Sequence, residues 1–184
     1  MKSKLNFKDS IVEPFAMQTI SRSYSSIYSS FSWNEKADDF DFIHLESGIG
    51  LEVTSVLTAN TKKVLSYENS FRPNVNSIKD GKTDYDGNLL SYYGGSCIEL
   101  RNLIISSIEK KDSKAQKHLR EEITKCELCL CVDDGGWFKS VEEFNFFIEN
   151  KVIESTVFDK IFIITSRLFL VYENNKITSY QRKI

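Results

Sequence analysis

Between Glu13 and Phe31 the apolar residues Met17, Ile20, Tyr24, Ile27, Tyr28 and Phe31 recur at three- and four-residue steps, the spacing of one buried helix face. Pro14 suits the first turn of that helix, where its missing N–H costs nothing. The next stretch, FDFIHLESGIGLEVTSV, predicts strands over 42–45 and 49–56 joined by the turn ESG, hence a hairpin. From 57 to 96 the periodicity fades into Asn, Asp, Gly, Ser and Lys, which predicts a long polar loop or insertion.

Helical spacing returns with Leu100, Leu103, Ile104, Ser107 and Ile108 and continues through Ala115, Leu119 and Ile123, giving two helices or one bent helix. A strand over 128–132 ends in DDGG. Ser140 and Glu143 then fit a capping box for a short helix that buries Phe144, Phe147 and Ile148. Strands follow over 159–165, 168–173 and, after the NNK turn, 177–181; the wholly apolar IFII predicts a strand covered on both faces. The order of elements predicts an α/β fold, a mixed central β-sheet flanked by helices, in a single domain over 1–184.

Composition narrows the picture. With 184 residues, 41% of them hydrophobic, the chain can bury a sizeable core but not two comfortable ones. A formal net charge of -2 excludes a chain-wide positive field for non-specific nucleic-acid binding, though not a local cleft with a metal ion. No apolar run is long enough to span a membrane and the N-terminus lacks a signal-peptide core, so a cytoplasmic protein without a membrane partner is expected. Cys126, Cys129 and Cys131 fall in the apolar run CELCLC and Cys97 stands apart, a pattern of buried thiols rather than of a zinc site.

The candidate chemistry lies in the hairpin. Side chains two apart on a strand share a face, so Glu52 and Thr54 point together and away from Leu51, Val53 and Ser55. The ESG turn brings Asp41 near the level of Glu52 on the neighbouring strand. Two carboxylates converging from adjacent strands suit a hard divalent cation, because Mg²⁺ takes oxygen ligands and needs only one or two carboxylates from the protein. Two other motifs fail: GKT at 81–83 lacks the P-loop glycine, and DYDGN at 84–88 lacks the closing acid of a calcium loop. His44 and His118 read as residues of their strand and helix, and the run from Lys110 to Lys117 with Arg120 as a solvated helix face or a phosphate-contacting stripe.

Helix, Asp at a strand, hairpin to Glu-x-x, helix and apolar strand together resemble the PD-(D/E)xK phosphodiesterase superfamily, with its restriction-endonuclease-like fold. The resemblance runs over about 13–165, with motif detail confined to 39–54. It implies that Asp41, with Asp39 as the alternative, and Glu52 bind Mg²⁺ or Mn²⁺, that Glu13 on the first helix assists, and that the chain is a nuclease acting on DNA or RNA, linked to defence or mobile elements. Here no Pro precedes the first Asp, and Thr54 stands where such enzymes carry the catalytic lysine. The charge must then come from elsewhere, with Lys62, Lys63, Lys114 and Lys117 in reach from the following loop or helix. The alternative on the same scaffold is a catalytically inactive protein-binding module, an immunity, anti-defence or accessory subunit. A third reading makes the chain a homodimer paired edge to edge through its C-terminal hairpin.

Overall fold

A computed structural model describes residues 9–36, 38–57, 97–133, 138, 140–142, 144 and 157–183. The elements in chain order are helix α1 (Asp9–Ser23), a 3₁₀ turn (Ser26–Ser30), strands β1 (Ser32–Trp33), β2 (Phe42–His44) and β3 (Ile49–Val56), helix α2 (Cys97–His118), and strands β4 (Lys125–Val132), β5 (Lys160–Ile164), β6 (Phe169–Glu173) and β7 (Lys176–Tyr180). The seven strands form one mixed sheet in sequential order. β3, β4 and β5 run parallel to one another, and antiparallel pairs flank them on both sides.

Parallel neighbours need a crossover, and α2 lies in the one between β3 and β4. The two faces of the sheet carry separate cores. Leu100, Ile104, Ile108 and Ala115 of α2 pack with Leu128, Leu130, Ile161 and Ile163. Ala16, Met17 and Ile20 of α1 pack with Leu51, Val53, Cys129 and Phe162 on the other side. Alternate residues of β4 and β5 thus enter opposite cores, which is why IFII can be apolar throughout. The architecture is the expected α/β fold with a mixed sheet between helices.

Three boundaries differ from the sequence pattern for identifiable reasons. The first helix stops at Ser23 rather than reaching Phe31, because Ser25 turns to an extended backbone (φ -153°) and Ser29 and Ser30 donate their hydroxyls to the carbonyls of Ser26 and Ile27. Such local serine bonds compete with the helical ladder. α2 is one helix, not two, and ends at His118; Ile123 is buried beyond it through a turn closed by paired backbone bonds with Arg120 of 2.9 and 3.0 Å. β4 starts at Lys125, before the apolar run, because Cys126 and Glu127 already pair with Gly50 and Leu51.

Both tight turns follow their residues. Gly48 supplies the positive φ (63°) of the β2–β3 turn, and Asn174 and Asn175 (φ 52° and 60°) form the two-residue turn between β6 and β7. The polar stretch 58–96, with Lys62, Lys63 and both rejected motifs, and Glu143 of the capping box lie outside the described residues. No helix among the described residues is long and apolar enough to cross a membrane.

Candidate functional site

The register of the hairpin pairs Phe42 with Leu51, so one step further places Asp41 opposite Glu52. Asp41 turns its carboxylate back onto β3, where Oδ2 accepts the Val53 N–H at 2.7 Å. Glu52 faces the α2 side of the sheet, as its alternation with Leu51 and Val53 requires. It is fully buried.

What meets Glu52 is α2. The Lys111 ammonium donates to Glu52 Oε2, and Lys114 Nζ stands 3.6 Å from Oε1. Lys114 is within reach on sequence grounds; Lys111, in the run expected to form a solvated face or a phosphate-contacting stripe, instead turns toward the sheet to meet Glu52. Its signal was present, since Ile104, Ile108, Lys111 and Ala115 form one continuous i, i+4, i+7, i+11 stripe and a lysine in that stripe must face the sheet. Lys110 and Lys117 do lie exposed. Arg120 also leaves the solvated face, to bind Asp39 at 2.9 Å.

A cavity of about 270 Å³ opens beside this pair, lined by Val12, Glu13, Asp41, Val53, Thr54, Ser55 and Lys111. Asp41, Thr54 and Glu13 therefore share one space, reached from three different elements. Glu52 is not in its wall; Lys111, which holds Glu52, is. Burial, opposed by the Val53 N–H and reinforced by the neighbouring Glu52 charge, keeps the Asp41 carboxyl above its ordinary value, while Lys111 and Lys114 act against that rise.

Asp39, the alternative first acid, is used elsewhere. Its Oδ1 accepts from Arg120 at 2.9 Å and from the Phe40 N–H at 2.8 Å, and lies 3.4 Å from His118 Nδ1. Burial works against its charge, but Arg120, the Phe40 N–H and Asn34 hold it below the usual carboxylate range. His118 is thereby a buried tie between the end of α2 and the start of β2. His44 stacks on Phe31 and bonds Ser47 at 2.7 Å. Cys126 and Cys129 are buried free thiols and Cys131 is half-buried. Burial pushes Cys126 up to about 12, which leaves it inert as a nucleophile.

The cavity offers oxygen donors and neither His nor Cys, a set that suits a hard cation and not zinc. No group of three or more His, Cys, Asp or Glu side chains gathers among the described residues. Mg²⁺ needs only one or two carboxylates; of the two expected ligands, Asp41 lines the cavity while Glu52 lies buried outside its wall against Lys111 and Lys114. Comparison of the chain with protein-family models, with curated proteins and with solved structures finds no match.

Proposed function

We propose that this chain is a metal-dependent phosphodiesterase acting on nucleic acid, built on a core like that of the PD-(D/E)xK superfamily, with its lysine supplied from α2. The observation that carries this reading is the Lys111 contact with Glu52 beside the cavity that Asp41 and Thr54 line. It supplies the charge that Thr54 lacks. The order of α1, the β1–β2–β3 strands, α2 and β4, with both acids on the central hairpin, also agrees with that core.

In this reading Asp41 and Glu52 would hold Mg²⁺ or Mn²⁺. When bound, the ion would supply Lewis-acid polarisation of the phosphoryl oxygen and a water of lowered pKa. Lys111 places a positive N–H donor where charge grows on the phosphoryl oxygens. Thr54 presents a hydroxyl that orients water by hydrogen bonding but adds no charge. Glu13, also in the cavity wall, would add an acceptor for a hydrated ion. Hydrolysis then forms one phosphorus–oxygen bond from water, breaks the ester bond to the leaving sugar oxygen and returns a proton to that oxygen.

The test is cleavage of end-labelled single- and double-stranded DNA and RNA with Mg²⁺ or Mn²⁺. Wild type cleaves at least one substrate and EDTA stops it. Glu52→Gln and Lys111→Ala each lower the rate by about a hundredfold or more, while Lys117→Ala, on the exposed face of the same helix, retains it. Equal inertness of wild type and Glu52→Gln on all four substrates overturns the reading. One observation favours the second reading, a non-catalytic binding module: Glu52 is already neutralised by two lysines. Absence of Mg²⁺ binding in calorimetry, with wild type inert on every substrate, would select it.

A further inference from the structure

A second cavity, of about 360 Å³, adjoins the first and shares Val12 and Ser55 with it. Its lining includes the carboxyl ends of the three parallel strands: Ser55 near the end of β3 and Leu57 just after it, Val132 at the end of β4, Ile164 at the end of β5. Ligands of open α/β sheets gather at this end of parallel strands. The two cavities differ in chemistry. The first is walled by acids, hydroxyls and Lys111, the second by Phe15, Val132 and Ile164 with a single cation, Arg182.

Arg182 is fixed in place. Its Nη1 donates to the carbonyls of Thr165 at 3.0 Å and Ser166 at 3.2 Å, and its guanidinium lies 5.1 Å from the centre of the Phe15 ring. Phe15 projects from α1 with 36% of its surface exposed, while its neighbours Ala16, Met17 and Ile20 are buried. A positioned guanidinium beside a partly exposed ring can recognise a phosphate together with a flat aromatic group. Asp133 shares this wall and is already engaged in an interaction within the protein.

From these features, and resting on the phosphodiesterase reading above, we propose that the substrate is a single-stranded nucleic acid. The nucleotide next to the scissile phosphate lays its base against Phe15 in the second cavity, and its own phosphate meets Arg182. Two strand spacings separate the ends of β3 and β5, about 10 Å, comparable with the reach of one nucleotide. Bases held in a duplex have both faces stacked and cannot enter such a cavity without unpairing. The sequence-tolerant combination of an aromatic platform and a cation is the means by which single strands are held.

Binding tests this apart from cleavage. Fluorescence anisotropy with Ca²⁺ in place of Mg²⁺ compares a labelled twelve-nucleotide single strand with a blunt duplex of the same sequence. The single strand binds more tightly; Phe15→Ala weakens it about tenfold, Phe15→Trp restores it, and Arg182→Ala weakens it with a shallower salt dependence. Equal or tighter binding of the duplex, no binding of either, or a Phe15→Ala variant as good as wild type overturns the proposal. Single-strand binding that depends on Phe15 without any cleavage supports the groove while counting against the phosphodiesterase reading. Cleavage that depends on Glu52 and Lys111 but not on Phe15 does the reverse.

Discussion

Lys111, in the second half of α2, donates its ammonium to the carboxylate of Glu52 at the centre of β3, 59 residues away in sequence. Glu52 is fully buried whereas the Lys111 side chain keeps 19% of its surface, so the pair spans from core to cavity. A buried ion pair seldom outperforms apolar residues of the same volume, and it is strongly destabilising when half of it is removed.

That asymmetry gives the first prediction. Lys111→Met leaves Glu52 buried with only the longer Lys114 contact and costs about 3 kcal/mol of stability. Glu52→Gln combined with Lys111→Met recovers most of the loss, because no uncompensated charge remains. Urea denaturation of the two single variants and the double variant measures the coupling. Additive losses would mean that the two groups do not depend on each other in solution.

Asp41 leads to a prediction of opposite sign. Its carboxyl is held above the ordinary value, first by burial, so the folded protein binds that proton more tightly than the unfolded chain. Stability therefore falls as pH rises through the raised value, and at pH 8 the wild type bears the full cost of an ionised Asp41. Asp41→Asn keeps an acceptor for the Val53 N–H without the charge. The variant should melt higher than wild type at pH 8, with the gap closing as pH falls toward the ordinary carboxylate range, and should lose catalysis. Thermal melts at pH 8, 6 and 4 check this; a gap that is constant across them would contradict it.

The hairpin and the carboxyl-terminal strands were legible because alternation and turn residues act locally: ESG and NNK mark their turns, and IFII marks a strand covered twice. That Asp41 stands near the level of Glu52 followed from the ESG turn closing the hairpin. Lys111 was misread because a run of charges suggests a wet surface, and only its phase against Ile104, Ile108 and Ala115 gives it away. β1 has just two residues and is defined by its partner Phe42–His44, so no local pattern could announce it. Nor does spacing show that Phe15 and Arg182, at opposite ends of the chain, meet over the ends of the parallel strands.

Gly50 supports the site from below. A Cβ built there would lie 2.3 Å from the fully buried Phe40 ring, which covers this stretch of β3 on the face that also carries Glu52. Gly50→Ala must push the ring aside at a cost of about 1–3 kcal/mol, and because Phe40 adjoins Asp41 the displacement reaches the cavity. Adding Phe40→Leu makes room and should restore part of the stability, measured by the denaturation midpoint. A Gly50→Ala variant as stable as wild type would show that the ring is not pinned.

On the opposite face a second buried acid is held by a phenol. Tyr28 donates its hydroxyl to both oxygens of Glu127, at 2.8 and 3.1 Å, while Lys160 Nζ stands 3.5 Å away. Burial raises the Glu127 carboxyl above its ordinary value, and Lys160 and the Tyr28 hydroxyl oppose that rise. Tyr28→Phe removes the donor and costs about 1.5–3 kcal/mol at pH 8, the range for a bond to a charged group. As pH falls through the raised Glu127 value, the acid becomes neutral in wild type and variant alike, and a bond to a neutral acceptor is worth less. The destabilisation by Tyr28→Phe should therefore shrink between pH 8 and pH 4.5 in guanidinium titrations. The substitution keeps the ring and its packing on Phe162 and Phe31, so a loss of the same size at both would show that the hydroxyl contributes independently of the charge on Glu127.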